Sequence, residues 1–180
     1  LKSTWTLDET KDDEAIAAPL QDFTMAINLK PGVGEVDLGK ESGRFVGIFP
    51  KSGSIFLPFR INVGSEKLKG FEIHLSYDKD LFDVDTKSLK GAPPGTYSVE
   101  LPPYKTDPNK DKTAELIFSG TLNDPTGPGV IEIGSLTLTA KNKTGDLATN
   151  PVTEFTGTSK VVTDKTSYEK PLTAAAGFVD

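Results

Sequence analysis

The segment Ser54–Val63, SIFLPFRINV, constrains the fold more than any other part of the chain. Ile55, Leu57, Phe59, Ile61 and Val63 fall on one phase of a two-residue period, and Phe56, Pro58, Arg60 and Asn62 fall on the other. A helix repeats every 3.6 residues and would scatter such a series around its axis, whereas a strand collects it on one face. The segment is therefore expected to be a half-buried strand. Pro58 donates no backbone hydrogen bond, which points to an edge or a bulge at that position.

The same logic repeats downstream. From Leu68 to Tyr77, the residues Phe71, Ile73, Leu75 and Tyr77 share one phase, and Glu72, His74, Ser76 and Asp78 share the other. Ala114–Phe118 reads as a further strand. Val130–Ala140 reads as a second long one, with Ile131 and Ile133 on one phase and Leu136, Leu138 and Ala140 on the opposite phase. The switch falls at Gly134, where a β-bulge is expected. Phe23–Leu29 alternates as a strand would. Shorter candidates lie around Phe155, at Val161-Val162 and at Ala174–Val179. Between them stand Pro31-Gly32, a Gly-rich connection from Val33 to Gly43, a turn-rich region through Gly91, Pro93, Pro94 and Gly95, and Asn123–Gly129. No stretch keeps a helical period. The expected architecture is all-β: a two-sheet β-sandwich with jelly-roll topology and about nine to ten strands.

Composition limits the function. The chain has 180 residues, enough for one large domain, with 17 Gly and 13 Pro spread between apolar runs. Residues 1–22 are acidic and lack periodicity, so they read as an arm or linker ahead of a domain over residues 23–180, with Trp5 able to pack back onto it. The absence of a Met or a signal-peptide pattern at Leu1 reads as a mature fragment or an excised piece of a longer protein. A formal net charge of −6 repels phosphate backbones and argues against a nucleic-acid partner. No run approaches the ~20 apolar residues of a membrane helix, so membrane insertion is not expected. With no cysteine, disulfides, thiolate metal sites and cysteine nucleophiles are excluded.

Few residues offer chemistry. His74 is the only histidine, too few for a zinc site, and no G-x-S-x-G elbow accompanies it. Asp107, Asn109 and Asp111 have the D-x-N-x-D start of a calcium loop. Lys112 stands where such a loop needs Gly, and Phe118 where it needs a bidentate Glu, so an Asx-rich turn is the plainer reading and no cofactor is otherwise expected. Asp78, Asp80, Asp83 and Asp85 are expected to hold backbone N–H groups. Tyr97 and Tyr104 flank the Pro-rich loop and could form a small aromatic patch, although core packing is the commoner use of such rings. Asn142-Lys143-Thr144 is a glycosylation triplet, relevant to a secreted eukaryotic chain.

Taken in order, several segments resemble cohesin domains. Ser52–Ile61 is similar to the family's opening "G-x-φ-x-φ-P-φ-x-φ" strand, where φ is apolar. Leu68–Val84 resembles its "G-φ-x-φ-x-φ-x-Y-D" strand and the apolar hook that follows. Gly129–Leu138 and Ala176–Val179 resemble its later "G-x-φ-x-φ-G-x-φ-x-φ" and closing "x-G-x-V" strands. The resemblance implies a jelly-roll sandwich shared with a group of carbohydrate-binding modules. It also implies a non-catalytic, extracellular protein-interaction module of a larger surface or scaffold protein, whose partner is a dockerin-like module or a neighbouring scaffold domain. Arg60, Asn62, Glu72, His74 and Ser76, on the outward phase of two strands expected to be adjacent, are the candidate binding residues. A carbohydrate-binding module, which needs a strip of exposed rings, and a structural spacer in a cell-surface assembly are the alternatives.

Overall fold

The computed structural model describes residues 31–39, 45–50, 53–102, 113–141 and 152–179. The arm with Trp5, the expected strand Phe23–Leu29, the candidate calcium residues Asp107, Asn109 and Asp111, Tyr104 and the Asn142 triplet lie outside the described residues.

Those residues form ten strands: β1 (Val36–Leu38), β2 (Phe45–Pro50), β3 (Ser54–Asn62), β4 (Leu68–Asp78), β5 (Phe82–Lys90), β6 (Gly95–Glu100), β7 (Thr113–Thr126), β8 (Val130–Ala140), β9 (Val152–Thr163) and β10 (Ser167–Val179). They make two sheets, a four-stranded one in the order β1-β3-β8-β5 and a six-stranded one in the order β2-β10-β9-β4-β7-β6. From β1 to β6 the chain changes sheet with each strand, and it crosses again from β7 to β8 and from β8 to β9. Every pair is antiparallel except β2 with β10, which join distant parts of the chain in parallel.

The alternation of the sequence becomes the core. Leu57, Phe59, Ile61 and Val63 are fully buried, and Phe71, Ile73, Leu75 and Tyr77 close over them from the other sheet. Phe118 of β7 packs edge-on against Phe59 across the sandwich (5.2 Å, 74°) and against Phe71 beside it (4.8 Å, 74°). Edge-to-face rings set the positive rim of one against the negative face of the other.

The bulge expected at Gly134 is present. Phe59 pairs with Gly134 and Arg60 with Glu132, which leaves Ile133 as the extra residue of β8. Gly134 takes φ +128°, a conformation L side chains rarely adopt. The shift lets Ile133 on one phase and Leu136 and Leu138 on the other all enter the core.

Other expectations change. β3 is an interior strand, and Pro58 stands just past the end of β1 and one residue before the bulge between Phe59 and Arg60. Pro58 is tolerated because its carbonyl accepts from Gly39 N (3.0 Å) on the β1 side, so its missing donor also faces that side, where β1 has ended. The Gly-rich connection holds β1. β6 begins at Gly95, inside the expected turn region. β7 runs on through Asn123–Thr126, so the loop shrinks to Gly127–Gly129. The two short candidates around Phe155 and Val161 are one strand, β9.

Candidate functional site

β4 is the third strand from one edge of the six-stranded sheet, between β9 and β7. Its apolar phase fills the core, so Glu72, His74 and Ser76 stand on the outer face. Register then decides their neighbours. On β7, Glu72 faces Ser119, His74 faces Ile117 and Ser76 faces Glu115. On β9 the same three face Lys160, Thr158 and Thr156.

His74 sits at the middle of this surface with both ring nitrogens engaged. Nε2 lies 2.9 Å from Glu72 Oε1, and Nδ1 lies 2.8 Å from Glu115 Oε1. Hydrogen bonds to the Glu72 and Glu115 carboxylates hold the imidazole above its usual 6.5, outweighing the small opposing effect of burial. The side chain remains 36% exposed, so the group is open to solvent and partner alike. Ile117 sits half-buried beside it. Gly70 contributes no side chain, and there the face dips into an open depression of about 330 Å³ bordered by Glu72, Thr121, Lys160 and Val162.

Arg60 and Asn62 do not belong to this surface. The expectation that β3 and β4 are adjacent is overturned: they lie in different sheets, because the turn at Gly64-Ser65 carries the chain across the sandwich instead of closing a hairpin. Gly64 takes φ +61° there. Two apolar phases facing one core look the same in sequence whether the link is a hairpin or an arch. Both side chains instead tie down the strand's surroundings. Arg60 Nη2 meets Asp37 Oδ2 at 2.9 Å and donates to Gly39 O at 2.6 Å. Asn62 donates to Pro31 O (2.6 Å) and accepts from Gly64 N (2.9 Å).

The other candidates resolve as local structure. Asp78 Oδ1 accepts from Asp80 N (2.8 Å) and Asp85 Oδ1 from Lys87 N (2.9 Å), the turn role expected of them, while Asp83 pairs with Lys141 (2.7 Å). Tyr97 packs on Phe71 and Phe118 and donates to Pro93 O (2.6 Å), so it pins its loop to the core. Burial pushes its phenol up from the ordinary value. Glu115 and Ile117 were not candidates from sequence. Their strand was legible, but Glu115 lies 41 residues from His74, and only the β4–β7 register brings them together.

No family model and no curated protein matches the chain. Among the solved structures that share its fold are two cohesins. A cohesin module from the family 33 glycoside hydrolase of Clostridium perfringens superposes with a TM-score of 0.50 at 9% identity, over 80% of this chain and 98% of that one. A non-cellulosomal cohesin from the hyperthermophilic archaeon Archaeoglobus fulgidus gives 0.50 at 14% identity, over 83% of this chain and 93% of that one. With the strand order and the sequence landmarks already described, these likenesses identify the fold of the chain as the cohesin-like β-sandwich.

Proposed function

We propose that the chain is a non-catalytic protein-interaction module that docks a protein partner on the outer face of its six-stranded sheet. The observation that carries the reading is the make-up of that face. Ile117 and Val162 supply apolar contact among Glu72, His74, Ser76, Glu115 and Lys160, the mixture of a small apolar centre and a polar rim that protein interfaces use. A sugar platform needs outward rings. The rings of β4, β6 and β7 point inward: Phe71 and Phe118 are buried, and Tyr97 packs on both. The cohesin-like fold adds weight to a protein partner, a dockerin-like module or a neighbouring scaffold domain, and to an extracellular setting.

The test is calorimetric titration of the domain with dockerin modules and adjoining scaffold domains from the source organism, beside a glycan array. Ile117→Asp is expected to abolish binding. Phe56→Ser is expected to leave it intact, because Phe56 is 51% exposed on the opposite sheet. Glycan binding with no protein partner, or binding that survives Ile117→Asp, would sink the reading.

A further inference from the structure

The trio at the centre of the face has a chemical requirement of its own. A neutral imidazole carries one N–H and one bare lone pair; only the imidazolium donates from both nitrogens. Here each nitrogen faces a carboxylate oxygen, Nδ1 toward Glu115 at 2.8 Å and Nε2 toward Glu72 at 2.9 Å. Carboxylate oxygens are acceptors, so a lone pair set against either one is repelled. The contacts also join two strands, since Glu72 and His74 belong to β4 and Glu115 to β7.

We infer that Glu72, His74 and Glu115 form a proton-operated latch on the docking face, closed while His74 is protonated and opened when it loses that proton to solvent. On opening, one glutamate is released from the ring and the trio gains about one unit of negative charge. The released group is free to swing, because Glu72 and Glu115 are 55% and 44% exposed. Among the direct cross-strand neighbours of Glu72, His74 and Ser76, Lys160 is the one cation. Thr158 of β9 and Ile117 of β7 are the direct cross-strand neighbours of His74 and are uncharged. Lys160 of β9 faces Glu72 and reaches toward Glu169 of β10 at 3.8 Å, and Glu100 of β6 lies across from Ile117, adding a further carboxylate. The inference builds on the docking reading: a partner seated on this face binds with a pH dependence centred on the titration of His74.

The latch can be tested on the isolated domain. Because His74 is the only histidine, its ring signals in a nitrogen-15 NMR titration need no assignment. The expected result is a midpoint above that of free histidine. It should fall in Glu72→Gln and in Glu115→Gln, fall furthest in the double variant, and come with a shift of a glutamate carboxyl carbon at the same midpoint. A wild-type midpoint no higher than that of the double variant, or glutamate carboxyl signals that ignore His74, would overturn the latch. That outcome leaves the docking reading to its own test with Ile117→Asp. Conversely, a latch that titrates as expected in a domain whose partner ignores Ile117→Asp would sink the docking reading alone.

Discussion

Gly157 of β9 lies directly against the backbone carbonyl of His74 of β4: a methyl group on Gly157 would stand 1.9 Å from that oxygen. The close approach lets β9 lie against the strand that carries the outer-face residues, so the site depends on a glycine that never reaches the surface chemistry.

Gly157→Ala is therefore expected to destabilise the domain by about 2–3 kcal/mol, the upper range of overpacking, since a ladder carbonyl cannot move aside as a side chain can. Thr158→Ala, one residue on and exposed, should cost under about 0.5 kcal/mol. Urea melts of the two variants check the difference. Equal midpoints would show that β9 has room to shift.

The Asp37–Arg60 pair should be asymmetric. Asp37's side chain is 2% exposed and Arg60's 21%. Arg60→Leu leaves a buried carboxylate without its cation and is expected to cost about 3 kcal/mol. Asp37→Asn keeps a polar partner beside an arginine that can reach water, and should cost less, about 1 kcal/mol. Chemical denaturation of both variants gives the order; the reverse order would contradict the assignment of Arg60 as a structural anchor.

Phe118→Ala should cost about 3–5 kcal/mol, because the ring is fully buried and touches aromatic rings of both sheets. Its truncation opens a cavity between Phe59 and Phe71. The loss should appear in thermal melting without a change in the partner-binding enthalpy of the molecules that remain folded.

Stability should also depend on pH through His74. Its folded pKa is raised above 6.5, so its contribution is fully present below the unfolded value and disappears as pH rises through the folded one. Comparing wild type with His74→Gln from about pH 5 to about pH 9 should show a wild-type advantage at the acid end that fades at the alkaline end. The effect should be small and shrink in high salt, because the group is more than a third exposed. An advantage that grows with pH would have the wrong sign.

What the sequence reveals depends on burial. β3, β4 and β8 are legible to within a residue because one phase of each is almost wholly buried, and burial is what alternation records. β6 is hidden because it is an edge strand whose inward residues Tyr97 and Val99 are only partly covered, amid Gly and Pro. The end of β7 is hidden for the same reason: Asn123, Asp124 and Pro125 are exposed, and no apolar period marks them as strand. Glu72, His74 and Ser76 were legible as outward residues. Their separation from Arg60 and Asn62 was not, because the choice between hairpin and arch is made by packing across the whole core. The glutamate that completes the trio belongs to a strand pairing that no local pattern encodes.

The parallel pairing of β2 with β10 carries a mechanical consequence. In a parallel pair, the start of one strand and the end of the other lie at opposite ends of the ladder. Tension applied at the start of β2 and the end of β10 therefore runs along the strands. It loads the register pairs from Ala175–Phe45 to Val179–Pro50 in shear, all together, and not one at a time as in unzipping. The chain before β2 also carries β1, which is hydrogen-bonded to β3 in the other sheet, so a pull through the ends meets that pair first and the sheared β2–β10 ladder behind it.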